Sequence, residues 1–185
     1  MREGALFETE RLVVRPWRLD EGDLASAFEM YGDPEVVKYI GGRLQPSLEA
    51  TRTFMEGLVA RFVGTPYGGF PVVEKASGQV VGVVLLEPLP DRERVPTEDV
   101  EVGWHLARRV WGRGFATEAA RGLLHYGFEQ LGHERLLAVV EPPNARSSAV
   151  ARRLGMRHLG RTEAYYGGIE LELYELGRAD WRVAR

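Results

Sequence analysis

The sequence predicts an α/β chain with a mixed sheet, organised as one domain. Three observations carry that prediction. Strand-like apolar runs and amphipathic helical stretches succeed one another in the order β-α-α-β-β-β-α-β-α-β-β. A glycine turn, Gly112-Arg113-Gly114, joins an apolar run ending at Leu106 to the most regular of the helices. No internal repeat, low-complexity segment or linker interrupts the 185 residues, so residues 1–185 are expected to share a single core.

Residues 6–16, LFETERLVVRP, form a first strand that ends at Pro16. Asp20 caps a helix running to about residue 31, with Leu24, Ala27 and Phe28 on its apolar face. Asp33-Pro34 starts a short helical piece over 35–40, and 41–46, which includes Gly41-Gly42, is a loop. Ser47 precedes a longer helix to about residue 63, without the Glu that would complete a capping box. After a turn at 64–69, residues 70–75 and 79–87 make a hairpin through Ser77-Gly78. The charged, proline-rich stretch 88–96 is an exposed loop, and 98–106 is the next strand. The helix after the glycine turn carries Phe115, Ala119, Leu123, Leu124, Phe128 and Leu131 on one stripe and stops at Gly132. A short buried strand, 136–140, breaks at Glu141-Pro142-Pro143. Asn144 opens a helix to Leu154, and strands 157–166 and 169–176 turn at Gly167-Gly168.

Composition removes several functions. A net charge of −3 points to neither nucleic acid nor an anionic membrane as partner. The absence of cysteine excludes disulfides, a thiolate zinc site and a cysteinyl acyl-enzyme. His105, His125, His133 and His158 lack metal-ligand spacing, and no metal is expected. Without an 18-residue apolar run or a signal peptide, the expected location is cytoplasmic.

The stretch 104–118, WHLARRVWGRGFATE, has the chemistry of an anion cradle. The first turn of a helix has no internal partners for its N–H groups, and its dipole is positive there. Arg108, Arg109 and Arg113 add charge, and a pyrophosphate suits such a turn. A nucleotide P-loop would require a Lys after the glycines, and none follows. A dinucleotide fingerprint would require Gly or Ala where Thr117 stands. Coenzyme A is the remaining candidate.

Trp111-Gly112-Arg113-Gly114-Phe115-Ala116 resembles motif A, [QR]xxGx[GA], of the GNAT family of acetyl-CoA-dependent N-acetyltransferases, with Trp in place of Gln or Arg. The register from Arg109 to Gly114 matches the letters, but the later one puts the small Ala116 in the first helical turn, where phosphate approaches. Residues 144–156, NARSSAVARRLGM, resemble motif B, NxxSxxxxxxxGF, with Met156 replacing Phe. The Trp variant is similar to the ribosomal-protein N-terminal (RimJ/RimL-type) branch. The resemblance, which covers about residues 6–178, implies a mostly antiparallel sheet flanked by helices. It also implies acetyl-CoA as cosubstrate and an amine-bearing partner: a protein N-terminus, amino acid, polyamine or antibiotic. Related enzymes often pair, so a homodimer is compatible with it. It places the coenzyme on Trp104, His105 and Leu106, on Trp111, Gly112, Arg113, Gly114, Phe115, Ala116 and Thr117, and on Asn144, with main chain of 104–106 along the pantetheine arm.

Acetyl transfer needs a neutral amine, whereas an α-amino group titrates at ~8 and Lys at ~10.4. A base is therefore useful, directly or through water. In the branch resembled, a Glu near the start of the strand before the glycines is the base, and the motif-B Ser serves the departing thiolate; Glu101 and Ser147 match them. The Tyr acid of many other members is absent, because Ala151 holds its position. Taken from the residues alone, Glu101 is one of several carboxylates at a strand start, and Asn144 and Ser147 are helix-cap residues. His105 shares a strand face with Glu101 and Gly103 and is the competing base. Acceptor selection falls to 31–47, 88–97 and 165–169, with Tyr165 and Tyr166 either bordering the cleft or packing. A catalytically silent CoA-binding sensor is the reading from another class.

Overall fold

In the computed structural model, residues 4–41 and 43–183 are described, so Gly42 of the expected 41–46 loop lies outside them. Strands β1 (Phe7–Glu8), β2 (Leu12–Val14), β3 (Gly68–Glu74), β4 (Val80–Pro90), β5 (Pro96–Leu106), β6 (Arg135–Val140), β7 (Arg157–Thr162) and β8 (Leu171–Gly177) form one sheet in the order 1-2-3-4-5-6-8-7. Every neighbouring pair is antiparallel except β5–β6. That parallel pair requires a crossover, which the central helix supplies. The helices are α1 (Glu21–Tyr31), α2 (Pro34–Val37), α3 (Leu48–Ala60), α4 (Phe115–His125), α5 (Ala145–Arg153) and α6 (Arg178–Val183).

The helix starts follow the capping residues. Asp20, Asp33, Ser47 and Asn144 each accept a first-turn N–H through the side chain. Ser47 does so without a capping box. The stripe of α4 is buried at Phe115, Ala119, Leu123 and Leu124, and Phe128 continues it in a π-helical turn, Tyr126–Gln130. A Cβ at Gly122 would lie 2.3 Å from the Phe7 ring, so glycine lets α4 press against β1.

Four expectations are corrected. The stretch 6–16 is a hairpin, not one strand. Thr9 turns it by accepting the Leu12 N–H on Oγ1 (3.1 Å) and donating its own N–H to the Leu12 carbonyl (2.9 Å). The carboxylate of Glu118 fastens that turn from α4, accepting from the Thr9 hydroxyl (2.6 Å) and the Arg11 N–H (2.9 Å). On α1, Met30 and Tyr31 join Leu24 and Ala27 in the core, while Phe28 is exposed. The stretch 88–96 is a hairpin end: β4 pairs with β5 out to Pro90↔Pro96, and Leu89 is fully buried. Asp91 closes it by accepting the N–H groups of Glu93 (2.9 Å) and Val95 (2.8 Å). Lastly, β7 leaves the ladder at Thr162, and residues 163–170 fold onto the β4–β5 hairpin through the bridge Asp91↔Tyr165.

Candidate active site

A gap between two strands organises the site. The parallel strands β5 and β6 meet only at Glu101↔Leu137, and past that pair β5 continues to Leu106 with no partner on that edge. The phase of the β4–β5 ladder decides which backbone groups face the gap. Ala107 N–H bonds Val81 C=O (3.0 Å), and alternate residues of an antiparallel ladder share that direction. Glu101, Gly103 and His105 therefore exchange bonds with β4, while Val102, Trp104 and Leu106 turn their N–H and C=O toward β6. Trp104 thus offers its N–H and C=O along the open edge, and Leu106 its N–H. His105 does not; its backbone is engaged with β4, and its ring packs edge-on against Tyr31, with Nδ1 3.4 Å from the phenol.

The glycine turn stands at the end of this gap. Gly112 and Gly114 both have φ of +81, the left-handed region, and a Cβ on Gly112 would meet no atom within 4 Å. Among the described residues, the N–H groups of Gly112, Gly114, Phe115, Ala116 and Thr117 make no hydrogen bond, leaving a run of donors at the positive end of α4. Ala116 is the second residue of that helix and Thr117 the third. Trp111 fixes the approach to the turn by donating Nε1–H to Leu106 C=O (2.9 Å).

The expected cradle arginines are otherwise engaged. Arg108 pairs with Asp33 (2.9 Å), Arg109 with Glu29 (2.8 Å) and Arg113 with Glu74 (2.5 Å). The cation the sequence reading passed over is Arg146, whose guanidinium stacks 4.6 Å from the Trp111 ring centroid and has no carboxylate partner among the described residues. Its position is a consequence of topology: β5 and β6 are parallel, so α4 and α5 both begin at the same end of the sheet, on either side of the gap. Asn144 caps α5 by accepting the Ser147 N–H (3.2 Å), which leaves the half-buried Ser147 hydroxyl free of that duty. Ala151 is fully buried.

Glu101 sits where the gap begins and is only 5% exposed. Burial pushes its carboxyl up to about 8, the hydrogen bond donated by Tyr166 opposes this, and Glu87 adds to it by repulsion. Glu87 is its direct cross-strand partner, and burial raises that carboxyl as well. Tyr166 reaches Glu101 because the 163–170 turn is pinned on the neighbouring hairpin: its N–H bonds Pro90 C=O (2.9 Å) and its φ is +52. Tyr165 in turn donates to Asp99 (2.6 Å). Both tyrosines therefore border the acidic face of β5. Burial pushes His105 down to about 4, so the imidazole is neutral at pH 7.

A family model matches the residues that build the gap, the glycine turn and Glu101. The acetyltransferase (GNAT) domain model covers residues 11–157. The chain belongs to the GNAT family. The uncharacterized N-acetyltransferase p20 of Bacillus licheniformis is 29% identical over 157 residues, 85% of each chain. A Bacillus subtilis protein, YdaF, provisionally named a ribosomal N-acetyltransferase, is 30% identical over 108 residues, 56% of this chain and 57% of its own. The crystal structure of a GNAT-family acetyltransferase from Bacillus anthracis superposes with a TM-score of 0.76 at 26% identity, over 93% of this chain and 98% of that one. The chain is accordingly an acetyltransferase that uses acetyl-CoA, the family's common donor. The donor set fits that molecule: free N–H groups and Arg146 for its phosphates, and strand-edge main chain for its amide-bearing arm.

Proposed function

We propose that the chain transfers the acetyl group of acetyl-CoA to a primary amine by direct attack, both substrates being bound together. What carries this reading is the buried Glu101 carboxyl at the mouth of the β5–β6 gap. A base tuned to about 8 lies close to the pH at which an amine must lose its proton. Trp104, Leu106, the 111–117 turn and Asn144 hold the coenzyme, with Arg146 added to them. His105 supports the sheet face behind Glu101.

In the step itself the amine nitrogen attacks the thioester carbonyl carbon. The bound ammonium first gives one proton to Glu101, directly or through water. The neutral nitrogen then forms the C–N bond as the C–S bond breaks, and its second proton reaches the coenzyme thiolate through Ser147, which gives one proton and regains another. A strand-edge N–H facing the gap stabilises the charge on the carbonyl oxygen. The amine's class is a protein N-terminus or a small molecule.

Thermal unfolding with acetyl-CoA, CoA, ATP and NAD tests the donor. A ligand of the folded state stabilises it by ~2.7 kcal/mol at a hundredfold excess over Kd. Stabilisation by acetyl-CoA, followed by thiol release on adding amine, is the expected result. A shift with ATP or NAD alone overturns the assignment, and a shift without thiol release from any amine makes the chain a silent CoA-binding module.

A further inference from the structure

A cleft of about 240 Å³ opens on the face of β4 that carries Val83, Leu85 and Glu87, roofed by α3. Its walls include Trp17, Met55, Leu58, Phe62, Tyr67 and Phe70, and its lining holds one charged side chain, Glu87. Glu87 and Glu101 are opposite each other across the β4–β5 ladder, on the same face, where paired Cβ atoms lie ~5 Å apart. The cleft thus reaches Glu87, the cross-strand neighbour of the carboxyl placed to receive the amine's proton.

We propose that the acetyl acceptor is an amine with a single positive charge on an apolar body, its ammonium against the Glu87–Glu101 pair and its body in this cleft. The proposal rests on the acetyl-transfer reading above and names its substrate class. The half-buried Glu87 and the buried Glu101 lie side by side, and a cation there favours their ionised forms. Neither Tyr166 nor Arg61 replaces it, since Tyr166 is neutral and Arg61 touches Glu87 only at 3.4 Å from a side chain that is 59% exposed. Glu87 orients the ammonium, and Glu101 takes its proton.

The same walls exclude other amines. A second ammonium, as in a polyamine, would lie among Met55, Leu58 and Phe62 with no partner, and an unpaired buried charge is strongly disfavoured. A free amino acid would set its carboxylate against Glu87 and Glu101. The volume corresponds to roughly eight waters at ~30 Å³ each, enough for one ring or branched chain. An N-terminal apolar residue of a peptide presents the same chemistry as a small arylalkylamine.

The test is thiol release at saturating acetyl-CoA with 2-phenylethylamine, a peptide amide beginning with Phe, free phenylalanine and spermidine. We expect kcat/KM at least tenfold higher for one of the first two than for either of the others, and the better of those two identifies the source. Glu87→Gln should raise KM for the preferred amine at least tenfold while the acetyl-CoA thermal shift stays as in the parent. Leu58→Trp, which fills the cleft, should lower kcat/KM for 2-phenylethylamine far more than for ethylamine. Preference for spermidine or phenylalanine, no release from either apolar amine, or an unchanged KM in Glu87→Gln overturns the proposal while acetyl-CoA stabilisation leaves acetyl transfer standing. Loss of that stabilisation overturns both.

Discussion

The guanidinium of Arg146 lies over the indole of Trp111, 4.6 Å from its centroid, and joins the start of α5 to the glycine turn before α4. Trp111 is itself held by Leu106 C=O (2.9 Å), so strand edge, turn and second helix form one unit around the gap. An exposed cation–π contact is worth only ~0.5–1 kcal/mol, so the greater use of this arginine is toward phosphate. Arg146→Ala should weaken acetyl-CoA about tenfold, equivalent to ~1.4 kcal/mol. Arg152→Ala, on the exposed face of the same helix, should leave affinity unchanged. Titration calorimetry of the two variants decides, and equal affinities would remove Arg146 from the site.

Glu101 makes the reaction pH-dependent in a stated direction. Its carboxyl titrates near 8, so the base form is the minority at pH 7 and kcat/KM should climb as pH rises through about 8. Glu101→Gln should lower turnover at least a hundredfold and abolish that limb, apart from the slope set by the amine's own ionisation. A parallel profile in parent and variant would show that the amine alone titrates.

Much of this was legible in the sequence because local chemistry carried it. Asp20, Asp33, Ser47 and Asn144 cap helices by side-chain bonds two or three residues away, and Ser77-Gly78 closes a hairpin, so neighbours alone define these features. The π-turn at Tyr126–Gln130 and helix α6 left no comparable signal. Glu118, which converts 6–16 into a hairpin, acts from 107 positions away at Arg11, and no local pattern announces it. The acceptor cleft was missed for the same reason. Its walls come from α3, β3 and β4, segments that each read as ordinary amphipathic core and meet only through the fold. Arg146 lay within the motif that drew attention to Asn144 and Ser147, yet its contact with Trp111 depends on two parallel strands placing two helix starts at one end.

The turn into α1 depends on a buried ion pair. Asp23, 3% exposed, accepts two hydrogen bonds from Arg15 (2.9 and 2.6 Å) and one from the Arg18 N–H (2.8 Å). Burial alone would raise its carboxyl, but the Arg15 and Arg18 bonds outweigh it and hold the group below the usual range. A lowered folded-state pKa means stability present above the unfolded value, near 3.8, and lost as pH falls through the folded one. Asp23→Asn strands Arg15 and should cost about 3 kcal/mol at pH 7. Urea unfolding at pH 7 and again near pH 3 should show the gap narrowing, and a constant gap would assign the cost to packing.

Tyr166 positions the base through the hydrogen bond its phenol donates to Glu101. That bond favours the carboxylate and so pulls the Glu101 pKa down against burial. Tyr166→Phe keeps the ring and removes the donor. The expected consequence is a rising limb of kcat/KM displaced to higher pH than in the parent, with activity several-fold lower at pH 7 and the deficit shrinking toward pH 9. A role confined to packing the 163–170 turn would lower activity by the same factor at every pH. The strained φ of +52 at this position makes the distinction worth measuring in one further variant, since Tyr166→Gly relieves the backbone but also removes the phenol. Because the glycine variant also admits water beside Glu101, its limb should lie at lower pH than that of Tyr166→Phe, and coincident limbs would mean that the ring contributes nothing to the burial.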